Sequence, residues 1–202
     1  MRMTLLARLA AMVLPALLAL PACSPVEVAL GAGAVVGAAT VEERGIGGTA
    51  KDVSIRVEIN DRWFKHDFGM YNALRLQVYE GRVLVTGSLA NQGLKDEAIK
   101  LAWQPPGVRE VIDEVQLRPS GGVDEFAVDS WIVTQLKAKL LFAAEVLSIN
   151  YSVEATDGSV YIIGLAQDQT ELERVLEIAR NTSYVKRVVN YALIKGDTRR
   201  KA

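Results

Sequence analysis

The chain has 202 residues, 50% hydrophobic, 23% charged and 6% aromatic, with 23 basic residues against 24 acidic ones, one His and one Cys. That balance belongs to a folded protein and excludes wholesale disorder and collagen-like repeats. The formal charge of −1 argues against a protein that coats nucleic acid, and a single Cys beside a single His excludes an intramolecular disulfide and a Cys/His zinc site.

Residues 1–22 read as a targeting segment. Arg2 and Arg8 make a positive start, and Leu9 to Leu20 form an uncharged apolar stretch of signal-peptide size, shorter than the about 20 residues that cross a bilayer. The stretch ends in Leu20-Pro21-Ala22-Cys23-Ser24, which resembles a bacterial lipobox, in which the cysteine is acylated and becomes the first residue. Ordinary secretory cleavage near Ala22, leaving a free thiol, is the alternative. The lipoprotein reading is preferred because the single Cys stands at the one position the motif requires. Cys23 is thus the expected lipidation site, carrying palmitate-type acyl chains, and Ser24 in place of the Asp that favours inner-membrane retention implies sorting to the outer membrane.

Residues 23–50 are expected to hold the lipidated Cys and a flexible, glycine-rich tether. Gly31, Gly33 and Gly37 do not make a phosphate loop, because no strand precedes them. Beyond the tether the same unit occurs twice. Residues 52–117 and 129–194 align without a gap: Asp52 meets Asp129, Ile55 meets Ile132, and Gly81-Arg-Val-Leu-Val-Thr-Gly87 meets Gly158-Ser-Val-Tyr-Ile-Ile-Gly164. Such a duplication predicts two small domains, at 51–118 and 124–195, with a linker at 119–123 and a basic C-terminal tail at 196–202.

Each copy predicts the order α-β-β-α-β. The first helix carries Ile55, Ile59 and Trp63, or Ile132, Leu136 and Leu140, at i, i+4 and i+8. An alternating strand follows (Leu74, Leu76, Val78; Tyr151, Val153, Ala155). Glu80-Gly81 and Asp157-Gly158 suit a tight hairpin turn with positive φ. The second strand runs 82–87 or 159–164 and closes on a glycine. A charged helix at 92–103 or 168–181 makes the crossover to a last strand at 108–117 or 185–194. Each copy supplies only a small core, so packing between copies is expected. Asp113 and Glu114 are expected to point outward from their strand.

The Gly-x-Val-x-(Val/Ile)-x-Gly segment, this element order and the terminal strands Val108-Arg-Glu-Val-Ile112 and Val185-Lys-Arg-Val-Val189 resemble the BON domain. Two of them after a lipobox and tether resemble the dual-BON outer-membrane lipoproteins. The resemblance implies an α+β fold, each domain a small three-stranded mixed sheet on two helices. It implies a non-enzymatic protein, lipid-anchored in the outer membrane and facing the periplasm. There it would bind anionic phospholipid through the first helix of the second domain, at Trp131, Gln135, Ala138, Leu141 and Phe142, and support membrane integrity and assembly.

The residues themselves bear on that helix. At about 100° per residue from Trp131, Phe142 falls near 20°, Ala138 near 340° and Leu141 near 280°, while Ile132, Leu136 and Leu140 fall near 100–180°. An outer apolar stripe thus lies opposite the core, with Lys137 and Lys139 beside it. The matched positions Ser54, Asp61 and Lys65 in the first copy are polar. The stripe either meets a bilayer or packs on the first domain, where Trp103 is a candidate counterpart. A protein-interaction adaptor for an envelope assembly machine or cell-wall component is the alternative function, and a chaperone-like stress protein without acylation a third. His66 and the carboxylates at Asp96-Glu97 and Glu171, Glu173 and Glu177 read as solvated surface, and the basic cluster of Lys186, Arg187, Lys195, Arg199, Arg200 and Lys201 reads either as a frayed terminus or as a second contact to lipid phosphate or peptidoglycan. No metal, cofactor or nucleic acid is expected.

Overall fold

The computed structural model describes residues 42–118 and 123–200, so the signal segment, Cys23 and most of the tether lie outside the described residues. Both copies belong to one compact unit.

In the first copy α1 (Gly45–His66) buries Ile55, Ile59 and Trp63 on one stripe, and the Trp63 indole donates to the Ala98 carbonyl at 3.0 Å. It begins within the segment expected to be tether. Glycines at 45, 47 and 48 disfavour helix, but Arg44 holds the first turns in place by pairing with Asp52 at 2.7 Å and donating to the Val78 carbonyl at 3.0 Å. A second, short helix follows that periodicity did not predict, α2 (Phe68–Ala73). It is capped by Asp67, whose carboxylate accepts from Met70 N–H at 2.6 Å, and it buries Met70. The chain then runs β1 (Leu74–Tyr79), β2 (Arg82–Leu89), α3 (Gln92–Ala102) and β3 (Glu110–Leu117). β2 pairs antiparallel with β1 and parallel with β3.

The second copy repeats this with α4 (Val123–Phe142), β4 (Tyr151–Thr156), β5 (Ser159–Ala166) and α5 (Gln169–Arg180). A single 3-10 turn at Ser148–Asn150 stands where the first copy has α2. The last strand, expected as one run, is broken into β6 (Arg187–Asn190) and β7 (Leu193–Ile194), both parallel to β5. The break is where the Asn190 side chain turns back to accept from Ala192 N–H at 2.9 Å. The fold is α+β, with mixed sheets of three and four strands.

Two local devices occur in both copies. Glu80 and Gly81, like Asp157 and Gly158, take positive φ at the hairpin turn. Over each turn stands a carboxylate from the preceding helix: Asp52 accepts from Glu80 and Gly81 N–H at 2.7 and 2.9 Å, and Asp129 from Asp157 and Gly158 N–H, both at 2.8 Å. In mid-strand, Gly87 and Gly164 admit the chain segment before β1 or β4. A Cβ there would stand 2.3 Å from the Ala73 carbonyl oxygen and 2.1 Å from that of Asn150.

The two sheets face each other. Val83 and Val85 of β2 point to the first copy's helices, and Val160 and Ile162 of β5 to the second's. The alternate residues Leu84, Tyr161, Ile163 and Leu165 join Tyr79, Ile112 and Leu193 in a third core between the sheets. The layers are therefore helices, sheet, sheet, helices. Residues at matched positions of the duplication meet across this interface: Gln77 donates to Glu154, and the Tyr191 hydroxyl donates to Glu114. Like meets like only near a two-fold axis, so the copies are paired by a pseudo-two-fold. Glu114 is thus half-buried at the interface, contrary to the expected outward position. Its neighbour Asp113 does point outward and pairs with Lys95 at 3.1 Å. Each large apolar side chain buried here is worth about 1.5–3 kcal/mol, which offsets the small core of each copy.

Candidate functional site

Helix α4 is apolar on two sides. Ile132, Leu136 and Leu140 are buried against β4 and β5. On the opposite side Trp131 is 55% exposed, Leu141 66% and Phe142 86%, and Ala138 is exposed between them. Because the sheets make the contact between copies, the first copy does not cover this stripe. Trp103, the candidate counterpart, is itself half exposed and takes no part in the interface core. Of the five expected residues, Gln135 stands apart: it is half-buried, and its amide nitrogen is enclosed without a hydrogen-bond partner.

Charge is distributed unevenly along α4. Towards its start, Glu125 pairs with Arg118 at 3.1 Å and Asp129 is occupied by the turn amides. Near its end, Lys139 donates to the Asn181 carbonyl at 3.1 Å and the Thr182 hydroxyl at 3.2 Å. Lys137 is exposed and makes no salt bridge among the described residues. The most exposed ring, that of Phe142, and the free ammonium group of Lys137 therefore occupy the same end of the helix. Beyond it, Leu147 and Ile149 add exposed apolar surface that no periodicity announced, and Val128 adds to the start. Phe126 is exposed as well, but Arg75 of the first copy lies over its ring at 5.6 Å.

A groove of about 870 Å³ separates α2 from α4, lined by Asn72, Arg75, Arg118, Phe126, Ser130 and Thr156 among others. Its cations are engaged: Arg75 donates to the Asn72 and Leu74 carbonyls, both at 2.9 Å, and Arg118 holds Glu125 and the Ser88 hydroxyl. Lys195, Arg199 and Arg200, the described cations towards the C-terminus, are likewise paired. Arg200 holds Glu80 at 2.5 Å, Lys195 holds Glu43 at 3.1 Å, and Arg199 pairs with Asp197, whose carboxyl this hydrogen bond pulls down to about 2. His66 is exposed at the end of α1. Among the described residues no group of three His, Cys, Asp or Glu is placed to hold a metal, and no helix is long and apolar enough to cross a membrane.

The BON-domain family model matches residues 51–119 and 128–196. A protein in the gshII 5' region of Anaplasma centrale is 36% identical over 145 residues, covering 71% of this chain and 95% of its own. The outer membrane lipoprotein DolP of Haemophilus influenzae is 30% identical over 169 residues, covering 81% and 85%. The 21 kDa hemolysin of Actinobacillus pleuropneumoniae is 28% identical over 158 residues, covering 78% and 74%.

Proposed function

The chain belongs to the BON-domain family, as a tandem of two such domains related to an outer membrane lipoprotein, and from that premise we propose that it is a periplasm-facing outer-membrane lipoprotein that binds anionic phospholipid through α4. Acylation at Cys23 anchors it, and the folded body adds a second, reversible contact that supports envelope integrity rather than catalysing a reaction. The observation that carries this reading is the uncovered stripe of Trp131, Ala138 and Phe142, with Leu141 on its flank.

The physical case is one of partition. An indole and a phenyl ring settle among lipid headgroups with their apolar bodies inward, and each large side chain so buried is worth about 1.5–3 kcal/mol. Lys137 adds about 1 kcal/mol near an anionic surface. These sums give weak binding to a free bilayer, and weak binding suffices for a tethered body whose local concentration is already high. The test is flotation of the mature chain, residues 23–202 carrying Cys23→Ser, with vesicles of anionic or zwitterionic lipid. Binding is expected to need anionic lipid, to weaken with salt, and to disappear in Trp131→Glu with Phe142→Glu while the fold stays intact. Unchanged binding by that double variant would reject the proposal, binding indifferent to lipid charge would reject the anionic preference, and absence of vesicle binding by the parent chain would leave the face to a protein ligand.

A further inference from the structure

Helix α1 has its own outer line, in a different position from that of α4. Ile46, Ala50, Val53, Val57, Asn60 and Phe64 recur at alternating intervals of four and three residues, the spacing of a seam that meets another helix. Ile46, Val53, Val57 and Phe64 are each about half exposed or more, and they lie opposite the buried Ile55, Ile59 and Trp63. Phe68 and Tyr71 of α2 extend the line, their rings meeting Phe64 edge-on at 5.9 and 5.5 Å. No described residue covers it.

We propose that this seam is a homotypic interface, in which α1 packs antiparallel against α1 of a second copy about a two-fold axis level with Ile55. The pattern is its own complement under that operation. Ile46 meets Phe64, small Ala50 meets polar Asn60, and Val53 meets Val57. The area also suffices. The exposed surface of the four large seam residues with Phe68 and Tyr71 is on the order of 700 Å² per chain, so two copies bury up to roughly 1,400 Å², within the about 1,200–2,000 Å² of stable protein pairs.

Charge at the seam is close to balanced: the flanking pairs Glu58–Arg62 and Asp61–Lys65, at 3.4 and 2.7 Å, cancel, and the exposed Lys51 adds one cation, so vesicle flotation of variants, not charge, separates this face from the lipid face. The seam's place in the fold permits both contacts at once. Helices α1 and α4 lie in opposite outer layers, each packed on its own sheet, so a dimer through α1 leaves α4 free.

The experiment is sedimentation of the mature chain, residues 23–202 carrying Cys23→Ser, over a range of concentrations, with vesicle flotation in parallel. A reversible dimer is expected, and Val53→Glu with Val57→Glu should raise its dissociation constant at least about a hundred-fold by placing charges in the seam. Circular dichroism and vesicle binding should be unchanged. Trp131→Glu should do the reverse, losing vesicles and keeping the dimer, so the two faces succeed or fail separately. Thiol pairing tests the register with gentler changes: chains with Val53→Cys should cross-link to chains with Val57→Cys, and not to chains with Phe64→Cys. A wild-type chain that stays monomeric, a dimer that survives the double glutamate variant, or α1 variants that lose vesicles instead would each overturn the proposal, the last by assigning the seam to lipid.

Discussion

Asp129 and its counterpart Asp52 each satisfy two amide donors of a turn whose φ angles would otherwise be poorly held. Hydrogen bonds to a charged acceptor are the strong kind, so Asp129→Ala should cost about 2–3 kcal/mol in a urea melt, with Asp129→Asn retaining part of it. The pairing of Asp52 with Asp129 is visible in the repeat alignment. Its reason is not, because the turn lies 28 residues downstream and comes under the helix only when the sheet packs. The glycines are more legible, since Gly at the matched position of both copies already signals close approach, although the strands run on to Leu89 and Ala166 instead of ending at Gly87 and Gly164 as expected. A second carboxylate at the same turn gives a pH test. Asp157 accepts from Lys186 Nζ at 2.7 Å, and this hydrogen bond holds its carboxyl below the ordinary range. The pair's contribution is present above the ordinary carboxylate pKa and is lost as pH falls through the lowered one. An NMR titration should find the Asp157 midpoint depressed, and Lys186→Met should bring it back towards the ordinary value.

At the level of single helices, α4 shows what periodicity can and cannot reveal. The core stripe and the Trp131 stripe both follow from spacing, and the exposure of the second is what the pairing of sheets permits. The outer line of α1 does not stand out from the repeat alignment. Val53, Val57 and Phe64 match Ser130, Thr134 and Leu141, a fraction of a turn away from the Trp131 stripe. Leu147 is hidden for another reason: it sits in a loop, where no period exists. Lys137 provides the sharpest test of how α4 is used. Reversing it in Lys137→Glu replaces an attraction of about 1 kcal/mol with a repulsion of similar size, so affinity for anionic vesicles should fall about thirty-fold. Affinity for zwitterionic vesicles should be unaffected, and the salt dependence of binding should flatten. If the variant keeps its affinity and its salt dependence, the charge at this end of the helix is not what lipid meets.

How the two domains support each other was written in the strands, although not in the alternation used to find them. Val160-Tyr-Ile-Ile163 is a continuous apolar run, the signature of a strand buried on both faces, and β5 is covered by helices on one face and by the partner sheet on the other. Strand β2 is buried throughout as well, yet its interface positions include Thr86 and Ser88, which hid the same signal in the first copy. The break in the final strand of the second copy is not legible in the sequence, because it depends on a side-chain turn at Asn190 that hydropathy does not record. If neither small core is sufficient alone, the interface should govern cooperativity. Ile163 touches that interface without facing the helices of its own domain, so Ile163→Asp inserts a charge between the sheets and leaves both helical cores in place. Burying an unpaired carboxylate there should cost at least about 3 kcal/mol or force the sheets apart. Calorimetry should then show the single transition of the parent chain replaced by two at lower temperature, one per domain. Vesicle binding through α4 should persist below the first transition, because the stripe belongs to the opposite face of its domain. A single transition at the parent temperature would mean that each domain is stable by itself and that the pseudo-two-fold pairing adds nothing to it.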